Sequence, residues 1–434
     1  MSTSTSSSSL SLFGNPPAHW EVTSLEQLCL RGEAGIQVGV RMQHMAEAHG
    51  SSSIPNVMPK NIRDERIDHS DISRVSFEPS RETDRYKLIK GDILFIRYGD
   101  LKRRALVSER EEGWLLGSGC IRIRFSPHSV DPLFAFYQLG HPAMSKWLLR
   151  HMSSAVTPQL NTAILRALPW VLPPLAEQRE IAEVLHVLEQ KIELNNEVNR
   201  SLLAVAHAIF DALVKRPLED SESRSRIPSG WRMGNLQNCC GRIENGRTPL
   251  RSEPRYWSGN VPWLTSAEVR QPVVTATDTK ISREGLLNSS LKIWPRGTTV
   301  VAMFGATAGQ AAWMAMEACA NQACCGLVPA RHMQTYVYLH LASSTAALQQ
   351  LTRGSAQQNL NQQTIAQFPI PIPDDATLKS FDESVRPLLE KVAANCHESS
   401  SLAALRDKLL PRLFSGEAQA TQAEWPHHPA LSIY

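Results

Sequence analysis

Apolar residues recur at heptad spacing over a long stretch, Leu175 to Arg216, that contains no proline or glycine. The row consists of Ile181, Leu188, Asn195, Leu202 and Ile209. This row forms one apolar face, and the stretch has acidic residues in its first turn and basic residues in its last. The pattern predicts a single amphipathic helix over residues 173–217, which ends at Pro217. At ~1.5 Å per residue this helix would be roughly 60 Å long, so its apolar seam needs a partner of similar length.

A second stretch, Leu378 to Phe414, repeats this row 200 residues further along the chain. The repeated row consists of Phe381, Leu388, Asn395, Leu402 and Leu409. We therefore predict two long antiparallel helices in a coiled coil, with Asn195 and Asn395 paired at the middle of the seam, where they fix the register. Pro387 is expected to kink or interrupt the second helix, because proline lacks a backbone N–H.

The segments that precede the two helices have the pattern of mixed α/β domains, and they repeat each other. Short strand-like runs alternate with Gly, Pro and Ser, and Asp131–Met152 has a helical pattern that breaks at Gly140 and Pro142. The matched stretches are Ile54–Ile62 with Val261–Val269, Lys90–Asp100 with Arg296–Ala306, and Ser153–Pro173 with Gly354–Pro373. These repeats predict a tandem duplication of one unit, in which a domain is followed by a long helix.

The predicted fold class is therefore α+β, with two mixed α/β domains separated by two long antiparallel coiled-coil helices. The duplication predicts pseudo-twofold symmetry, with the domains held at the ends of a helical rod. The predicted segments are a disordered leader (1–19), a first domain (20–172), the central helix (173–217), a linker (218–230), a second domain (231–373), the C-terminal helix (374–416) and a tail (417–434).

Composition narrows the class of protein only slightly. No apolar run approaches the ~20 residues that span a membrane, and the Ser-rich start lacks the basic and apolar parts of a signal peptide, so a cytoplasmic protein is expected. The eight cysteines contain no C-x-x-C pair, which favours reduced thiols over a zinc site. A net charge of +3 permits a nucleic-acid surface without requiring one.

Several strings in a fixed order resemble one protein family over nearly the whole chain, from Trp20 to about Gly416. They are PPLAEQREIAEVL at Pro173–Leu185, GRTPLRSEPRYW at Gly246–Trp257, VPWLTSAEV at Val261–Val269, FGATAG at Phe304–Gly309, RGSAQQNLN at Arg353–Asn361, FPIPIP at Phe368–Pro373 and LLPRLFSGE at Leu409–Glu417. The family is the specificity subunit of Type I restriction-modification systems. The chain departs from its pattern at Pro387, and the second helix lacks a counterpart of the Glu177–Gln178 pair.

The resemblance implies a DNA-binding subunit without catalysis of its own. Each globular domain would be a target-recognition domain that reads one half of a bipartite target on double-stranded DNA. The helices would set the unread spacer and dock two modification subunits, which methylate adenine with S-adenosylmethionine. Restriction subunits, which use ATP and Mg²⁺, would join this core, so the chain itself is expected to bind no cofactor.

Candidate DNA contacts follow from side-chain chemistry, because Arg pairs with guanine and Gln with adenine, while most contacts go to phosphates. In the first domain they are Arg97, Tyr98, Lys102, Arg103 and Arg104, beside Gly99. In the second domain they are Arg247, Thr248, Arg251, Arg255, Tyr256, Arg353, Gln357 and Gln358. The alternative for each arginine is a solvated surface side chain, whereas Trp257 and Trp263 are expected in the core.

The sequence also speaks against an enzyme or a metal site. It contains no phosphate-binding G-x-x-x-x-G-K-[ST] loop, and His427–His428 lies in the tail without ligand partners. NPPA at Asn15–Ala18 resembles the Asn-Pro-Pro-aromatic motif of adenine methyltransferases, but Ala18 cannot stack on a flipped base.

Two alternatives remain open at this point. A fused methyltransferase would need a cofactor-binding region ahead of the first domain. A coiled-coil scaffold without sequence-specific DNA binding would show partner binding that does not weaken with salt.

Overall fold

The computed structural model describes residues 12–39, 46–47, 53–63, 65–76, 84–100, 103–152, 159–219, 228–352 and 359–418. The chain divides into two compact units. Unit 1 comprises Met1–Gln190 and Leu402–Tyr434, and unit 2 comprises Lys191–Ser401. Each unit contains one globular domain together with parts of both long helices.

The domain of unit 1 is built mainly from short strands. They are β1 (Glu21–Ser24), β2 (Ala34–Val38), β3 (Ala46–Glu47), β4 (Ile54–Val57), β5 (Ile62–Arg63), β6 (Arg66–Ile67), β7 (Ser73–Ser76), β8 (Ile93–Ile96), β9 (Arg104–Leu106), β10 (Leu115–Leu116), β11 (Cys120–Phe125) and β12 (Pro169–Leu172). Their sheet orders are β1-β12, β10-β4-β7-β3, β2-β11-β8-β9 and β5-β6. All four residues of β8 are buried, because this strand lies between β11 and β9 and is covered on both faces.

The helices of this domain are α1 (Leu25–Leu30), α2 (Pro132–Gly140), α3 (Pro142–His151) and α4 (Thr162–Arg166), with 3₁₀ turns at Pro59–Asn61 and Glu109–Glu111. The predicted break at Gly140 and Pro142 is confirmed, since α2 ends at the glycine and α3 begins at the proline. His141 lies between the two helices, and its Nδ1 accepts a hydrogen bond from the Ala143 N–H at 3.1 Å. This bond satisfies one of the N–H groups that a helix leaves free at its start.

Unit 2 repeats this plan. Its strands are β13 (Arg232–Asn235), β14 (Cys240–Asn245), β15 (Val261–Leu264), β16 (Val273–Val274), β17 (Thr279–Ile281), β18 (Thr299–Ala302), β19 (Ala311–Met314), β20 (Cys319–Ala320), β21 (Cys324–Pro329) and β22 (Pro369–Ile372). The sheet orders are β13-β22, β14-β21-β18-β19-β16 and β17-β15-β20. A long helix, α5 (Leu175–Glu219), enters this unit from unit 1. The remaining helices are α6 (Leu236–Cys239), α7 (Arg283–Asn288), α8 (Gln334–Ser343), α9 (Thr345–Thr352), α10 (Gln362–Ala366) and α11 (Asp375–Phe414), with 3₁₀ turns at Pro254–Trp257, Glu268–Arg270 and Gly305–Thr307.

The predicted duplication is confirmed by strand pairing. In unit 1, β4 pairs parallel with β10 and antiparallel with β7, and in unit 2, β15 pairs parallel with β20 and antiparallel with β17. Asn161 and Asn361 cap the matched helices α4 and α10, each accepting a backbone N–H at 2.8 Å. The predicted α+β class, with a mixed domain followed by a long helix in each half of the chain, is therefore confirmed.

Both long helices continue past the prolines that were expected to stop or disturb them. α5 extends through Pro217 to Glu219, so the predicted end of the helix at residue 217 is wrong, and the predicted linker begins inside the helix. α11 runs without interruption from Asp375 to Phe414. Pro387 removes one backbone hydrogen bond from α11, and it lies on the exposed face, where water can satisfy the freed carbonyl.

At the middle of the seam, Asn195 and Asn395 each form hydrogen bonds to the other helix, but not to each other. In unit 2, Asn395 Nδ2 donates to Asn199 Oδ1 at 2.8 Å. Asn195 Nδ2 donates to Glu398 Oε2 at 2.8 Å and to Ser399 Oγ at 3.2 Å. The helices are therefore antiparallel, but the predicted pairing of Asn195 with Asn395 is wrong. Instead the Asn395–Asn199 and Asn195–Ser399 bonds correspond to each other under the 200-residue repeat.

The buried row of each helix follows the predicted heptad only in part. Ile181, Leu188, Asn195, Phe381, Asn395 and Leu402 are buried, whereas Leu202, Ile209, Leu388 and Leu409 are half-buried. At three of these four places the next residue is buried instead, namely Phe210, Leu389 and Leu410. A straight helix has 3.6 residues per turn, so a strict heptad drifts by ~20° per repeat and the buried row moves to adjacent positions.

The predicted disordered leader is wrong from residue 12 onwards. Phe13 is buried in the core of unit 1, and its ring centroid lies 6.3 Å from that of Phe414 at the end of α11. Residues 1–11 lie outside the described residues, as do 220–227 of the predicted linker and 419–434 of the predicted tail.

Candidate nucleic-acid interface

Three chain segments of unit 1 meet the start of β11 and form one edge of the sheet. The Gly39 N–H donates to the Cys120 carbonyl at 3.0 Å, and the Arg97 N–H donates to the Gly119 carbonyl at 2.8 Å. The Leu160 N–H donates to the Arg97 carbonyl at 2.9 Å, which brings the start of α4 to the same place. We call this edge rim 1; it consists of Gly39, Arg97–Gly99, Gly119–Cys120 and Gln159–Leu160.

Unit 2 contains the same edge, held by the same three hydrogen bonds. The Gly246 N–H donates to the Cys324 carbonyl at 3.0 Å, and the Met303 N–H donates to the Ala323 carbonyl at 2.8 Å. The Leu360 N–H donates to the Met303 carbonyl at 2.9 Å. We call this edge rim 2; it consists of Gly246–Thr248, Met303–Gly305, Gln322–Cys324 and Asn359–Leu360. The duplication has thus preserved the backbone of a rim while changing its side chains.

The rim 1 side chains include two of the predicted DNA contacts. Tyr98 is 51% exposed, and the Arg97 guanidinium lies over its ring, 5.4 Å from the centroid. Gln159 Nε2 donates to the Tyr98 hydroxyl at 3.2 Å, which orients this amide at the rim. Rim 1 therefore presents a cation, an aromatic ring and an amide together.

Two other predicted contacts of unit 1 form bonds within the domain. Arg103 donates from Nε to the Ile62 carbonyl at 2.7 Å and from Nη2 to the Pro59 carbonyl at 2.7 Å. Arg104 is 8% exposed, forms an ion pair with Glu65 and lies over the Phe136 ring at 4.7 Å, and burial lowers its pKa. The prediction of DNA contact is therefore wrong for Arg104, and the structure gives Arg103 a role in joining β9 to the β5 segment.

Rim 2 carries Arg247 and Thr248 from the predicted set. Arg247 is exposed, and its backbone is fixed by the N–H bond to the Ala320 carbonyl at 2.8 Å. The Thr248 hydroxyl donates to Gln322 Oε1, which joins the two sides of the rim. Phe304, at the position that matches Tyr98, is 37% exposed. Rim 2 therefore carries a cation, an amide and an aromatic ring, as rim 1 does.

The remaining described candidates lie around the 3₁₀ turn at Pro254–Trp257. Arg251 is exposed and stacks over Trp257 at 5.3 Å, and Arg255 forms ion pairs with Glu253 and Glu284 at 3.1 Å each. The Glu284 and Glu253 carboxylates raise the pKa of Arg255. Tyr256 is 6% exposed and its hydroxyl accepts a hydrogen bond from Asn288, so the prediction of DNA contact is wrong for this residue.

Other predicted residues are either in the core or outside the described part of the chain. Trp263 is buried, as predicted, and Trp257 is half-buried with its ring edge-on to Trp263 at 5.0 Å. Lys102, Arg353, Gln357 and Gln358 lie outside the described residues. For Arg97, Tyr98, Arg103, Arg247, Thr248, Arg251 and Arg255, DNA contact stays a prediction.

Sequence reasoning missed Gln159, Phe304 and Gln322 as rim residues. Phe304 had a usable signal, because the repeat that matches Lys90–Asp100 with Arg296–Ala306 also matches Tyr98 with Phe304. Gln159 and Gln322 gave no such signal, since they reach the rims only through backbone bonds between segments far apart in sequence.

The described residues contain no group of three or more His, Cys, Asp or Glu side chains placed to hold a metal ion. Within the same described ranges, no helix is long and apolar enough to cross a membrane. All eight cysteines carry free thiols, and burial raises the pKa of Cys325 at the start of β21 to about 12.

Comparison with known proteins identifies the family. The family model described as Type I restriction modification DNA specificity domain matches twice, at residues 63–204 and 228–381, which together make up more than half of the chain. The chain belongs to this family, that of the specificity subunits of Type I restriction-modification systems. The prediction of a specificity subunit, as distinct from a catalytic one, is thereby confirmed.

Curated relatives agree with this assignment, and a solved structure has a similar fold. The Type I restriction enzyme HindI specificity subunit of Haemophilus influenzae is 24% identical over 441 residues, which cover 84% of this chain and 95% of that protein. The putative Type I restriction enzyme MjaX specificity subunit of Methanocaldococcus jannaschii is 24% identical over 266 residues, which cover 58% of this chain and 60% of that protein. The Type I restriction-modification S subunit from M. genitalium has a similar fold, with a TM-score of 0.57, 16% identity and coverage of 91% of this chain and 96% of that one.

Proposed function

We propose that this specificity subunit binds double-stranded DNA and that each globular domain reads one half of a bipartite target. The observation that supports this most strongly is the pair of rims. Three identical backbone hydrogen bonds hold the same edge in both units, while the side chains on that edge differ. A preserved scaffold with different exposed side chains suits two domains that perform one task on different base sequences.

We further propose that α5 and α11 set the unread spacer between the two half-targets and dock two modification subunits. Their continuous lengths of 45 and 40 residues support a role as a fixed spacer. The polar bonds at the middle of the seam, Asn395–Asn199 and Asn195–Ser399, would hold the register of this spacer.

The complex would methylate adenine and restrict unmodified DNA through its partner subunits. S-adenosylmethionine would bind to the modification subunits, and ATP and Mg²⁺ to the restriction subunits. The contribution of this chain would be the choice of DNA sequence, through side chains such as Arg97, Gln159 and Arg247.

A salt series on DNA binding tests this proposal. The chain, assembled with its modification subunits, is titrated onto a fragment that carries the motif methylated in the host, between 50 and 200 mM salt. Each phosphate contact contributes about −0.9 to the slope of log K against log salt, so affinity should fall steeply. Arg247→Ala should weaken binding and reduce the magnitude of the slope by about 1 if this side chain contacts a phosphate.

The matched control is Arg331→Ala, because Arg331 is also exposed but follows the far end of β21 from rim 2. This variant should bind with an unchanged slope. Binding that is insensitive to salt, or equal affinity for the motif and a scrambled fragment, would contradict the proposal and favour a scaffold that does not bind DNA specifically.

A further inference from the structure

An exposed aromatic ring stands at the same place on both rims. Tyr98 follows the wholly buried strand β8 and is 51% exposed, and Phe304 follows the wholly buried strand β18 and is 37% exposed. The surrounding side chains have changed between the units, for example from Arg97 to Met303, yet the ring is present in both. A ring that is present at a rim position in both units, and is not used in either core, points to a shared task at the surface.

A β-bridge fixes the backbone at each ring, and a glycine with positive φ turns the chain directly after it. Tyr98 and Phe304 each form an isolated antiparallel bridge, with Gln159 and Asn359 respectively. The glycine that follows has a φ of +90° at Gly99 and +72° at Gly305, a conformation that residues with a Cβ rarely adopt. Among the described residues, no atom lies within 4 Å of a Cβ added at either glycine, so the described part of the chain leaves the space in front of the turn open. The ring therefore borders open space on a rigid edge.

The groups beside the rings favour DNA over an apolar protein partner. Arg97 lies over the Tyr98 ring in rim 1, and the exposed Arg247 belongs to the same rim as Phe304. Cations next to an aromatic ring suit a base face with a phosphate nearby. In a duplex the base faces are covered by neighbouring base pairs, and an inserted side chain uncovers one face by parting a base step. Stacking on an aromatic ring then tolerates every base, so one ring type can serve two half-targets of different sequence.

We propose that Tyr98 and Phe304 are equivalent positioning residues, each of which inserts its ring at a base step of its own half-target and packs against the base that is unstacked there. The rings anchor the two domains in the same orientation, and the amide and cationic neighbours that differ between the rims distinguish the bases. This inference rests on the proposed function, since it requires that each domain bind one half-target.

The test uses the full chain assembled with its modification subunits. Tyr98→Ala and Phe304→Ala should each weaken binding to the target on the order of tenfold, because a stacked base is lost. Phe304→Tyr keeps a ring and should bind within about twofold of the unaltered chain. Tyr98→Phe keeps a ring but loses the hydrogen bond from Gln159, so it should bind more tightly than Tyr98→Ala. Leu30→Ala in unit 1 and Met233→Ala in unit 2 are matched controls, because both side chains are exposed and lie outside the rims.

Crosslinking tests whether each ring contacts its own half-target. A photoreactive phenylalanine analogue at position 98 should crosslink to one half-target, and the same analogue at position 304 should crosslink to the other. The inference is overturned if the alanine variants bind as tightly as the Leu30 control, if both positions crosslink to one half-target, or if the crosslinks go to a modification subunit. If instead the unaltered complex does not distinguish its motif from scrambled DNA, the proposed function itself fails, and the inference fails with it.

Discussion

Arg104 and Ala311 occupy equivalent strand positions but pack differently. Arg104 pairs with Phe95 across β8 and β9, and Ala311 pairs with Val301 across β18 and β19. In unit 1 the Arg104 guanidinium fills the space beside Phe136 and Gly140. The matching space in unit 2 is a cavity of about 250 Å³, lined by Ala311, Tyr338 and Ala342 among others. The pairing of the strands is therefore the same in both units, whereas the space beside these strands is filled by a side chain in unit 1 and left as a cavity in unit 2.

At the residue scale, the burial of His141 predicts that the stability of the fold depends on pH. It is 6% exposed, its ring lies against Phe13 and Phe414, and burial lowers its pKa to about 4. The folded state therefore holds the imidazole neutral, while the unfolded state takes up a proton below about pH 6.5. Stability that is present above this pH should be lost as the pH falls towards 4, by about 2 kcal/mol at pH 5.

His141→Asn should remove this pH dependence, because asparagine still caps the helix but does not titrate. The free energy of unfolding of the chain is measured in urea at pH 7 and pH 5. Its decrease on acidification should be about 2 kcal/mol smaller in this variant than in the unaltered chain. His128→Asn is the matched control, because His128 is exposed. An equal loss of stability on acidification in the His141 variant and the unaltered chain would show that another group is responsible.

At the residue scale, the sequence predicted which types of residue lie at the rims better than it predicted which individual side chains are exposed. Arg97, Tyr98 and Arg247 do lie exposed or half-exposed at the rims, but Arg104 and Tyr256 are buried. Nothing in the local pattern distinguishes Arg104 from Arg97, because its burial depends on Glu65 and Phe136, which approach it only in the folded domain.

At the element scale the seam asparagines act through partners other than each other. Asn395 is 2% exposed and donates to Asn199, which is 8% exposed. Loss of one partner leaves a buried polar group without a hydrogen bond, which costs roughly 1–3 kcal/mol, whereas replacement of both partners by apolar groups is nearly neutral.

Asn395→Leu should therefore destabilise the helix pair of unit 2 by about 1–3 kcal/mol, and the double variant Asn199→Leu with Asn395→Leu should recover most of this loss. Chemical denaturation of the single and double variants gives the coupling free energy. Additive losses in the double variant would mean that the Asn395–Asn199 bond does not hold the helices together.

Sequence periodicity predicted the existence, direction and approximate length of both helices, but not the side chains that face each other. A heptad row cannot specify which turn of one antiparallel helix lies opposite which turn of the other. The contact of Asn395 with Asn199 instead of Asn195 is a displacement of about one turn, which the apolar row of a single helix does not specify. Pro387 misled for a related reason, because the effect of a proline in a helix depends on whether the freed carbonyl faces solvent.

At the scale of the whole chain, the duplication was predictable and the division into units was not. Repeats such as Lys90–Asp100 with Arg296–Ala306 are visible in the sequence and recur as matched strands. The compact units do not follow the two halves of the chain, since Leu402–Tyr434 belongs to unit 1 with Met1–Gln190. This exchange of helix ends arises from antiparallel packing, which joins the end of each long helix to the domain of the other half.

The central claim is that the two domains read separate half-targets. The direct test is to exchange residues 20–172 for the first domain of a relative that methylates a different motif, with both long helices kept, and to sequence the methylated adenines in host DNA. We expect one half of the motif to change to that of the donor, while the other half and the spacer stay the same. A motif that changes in both halves, or in neither, would contradict the claim.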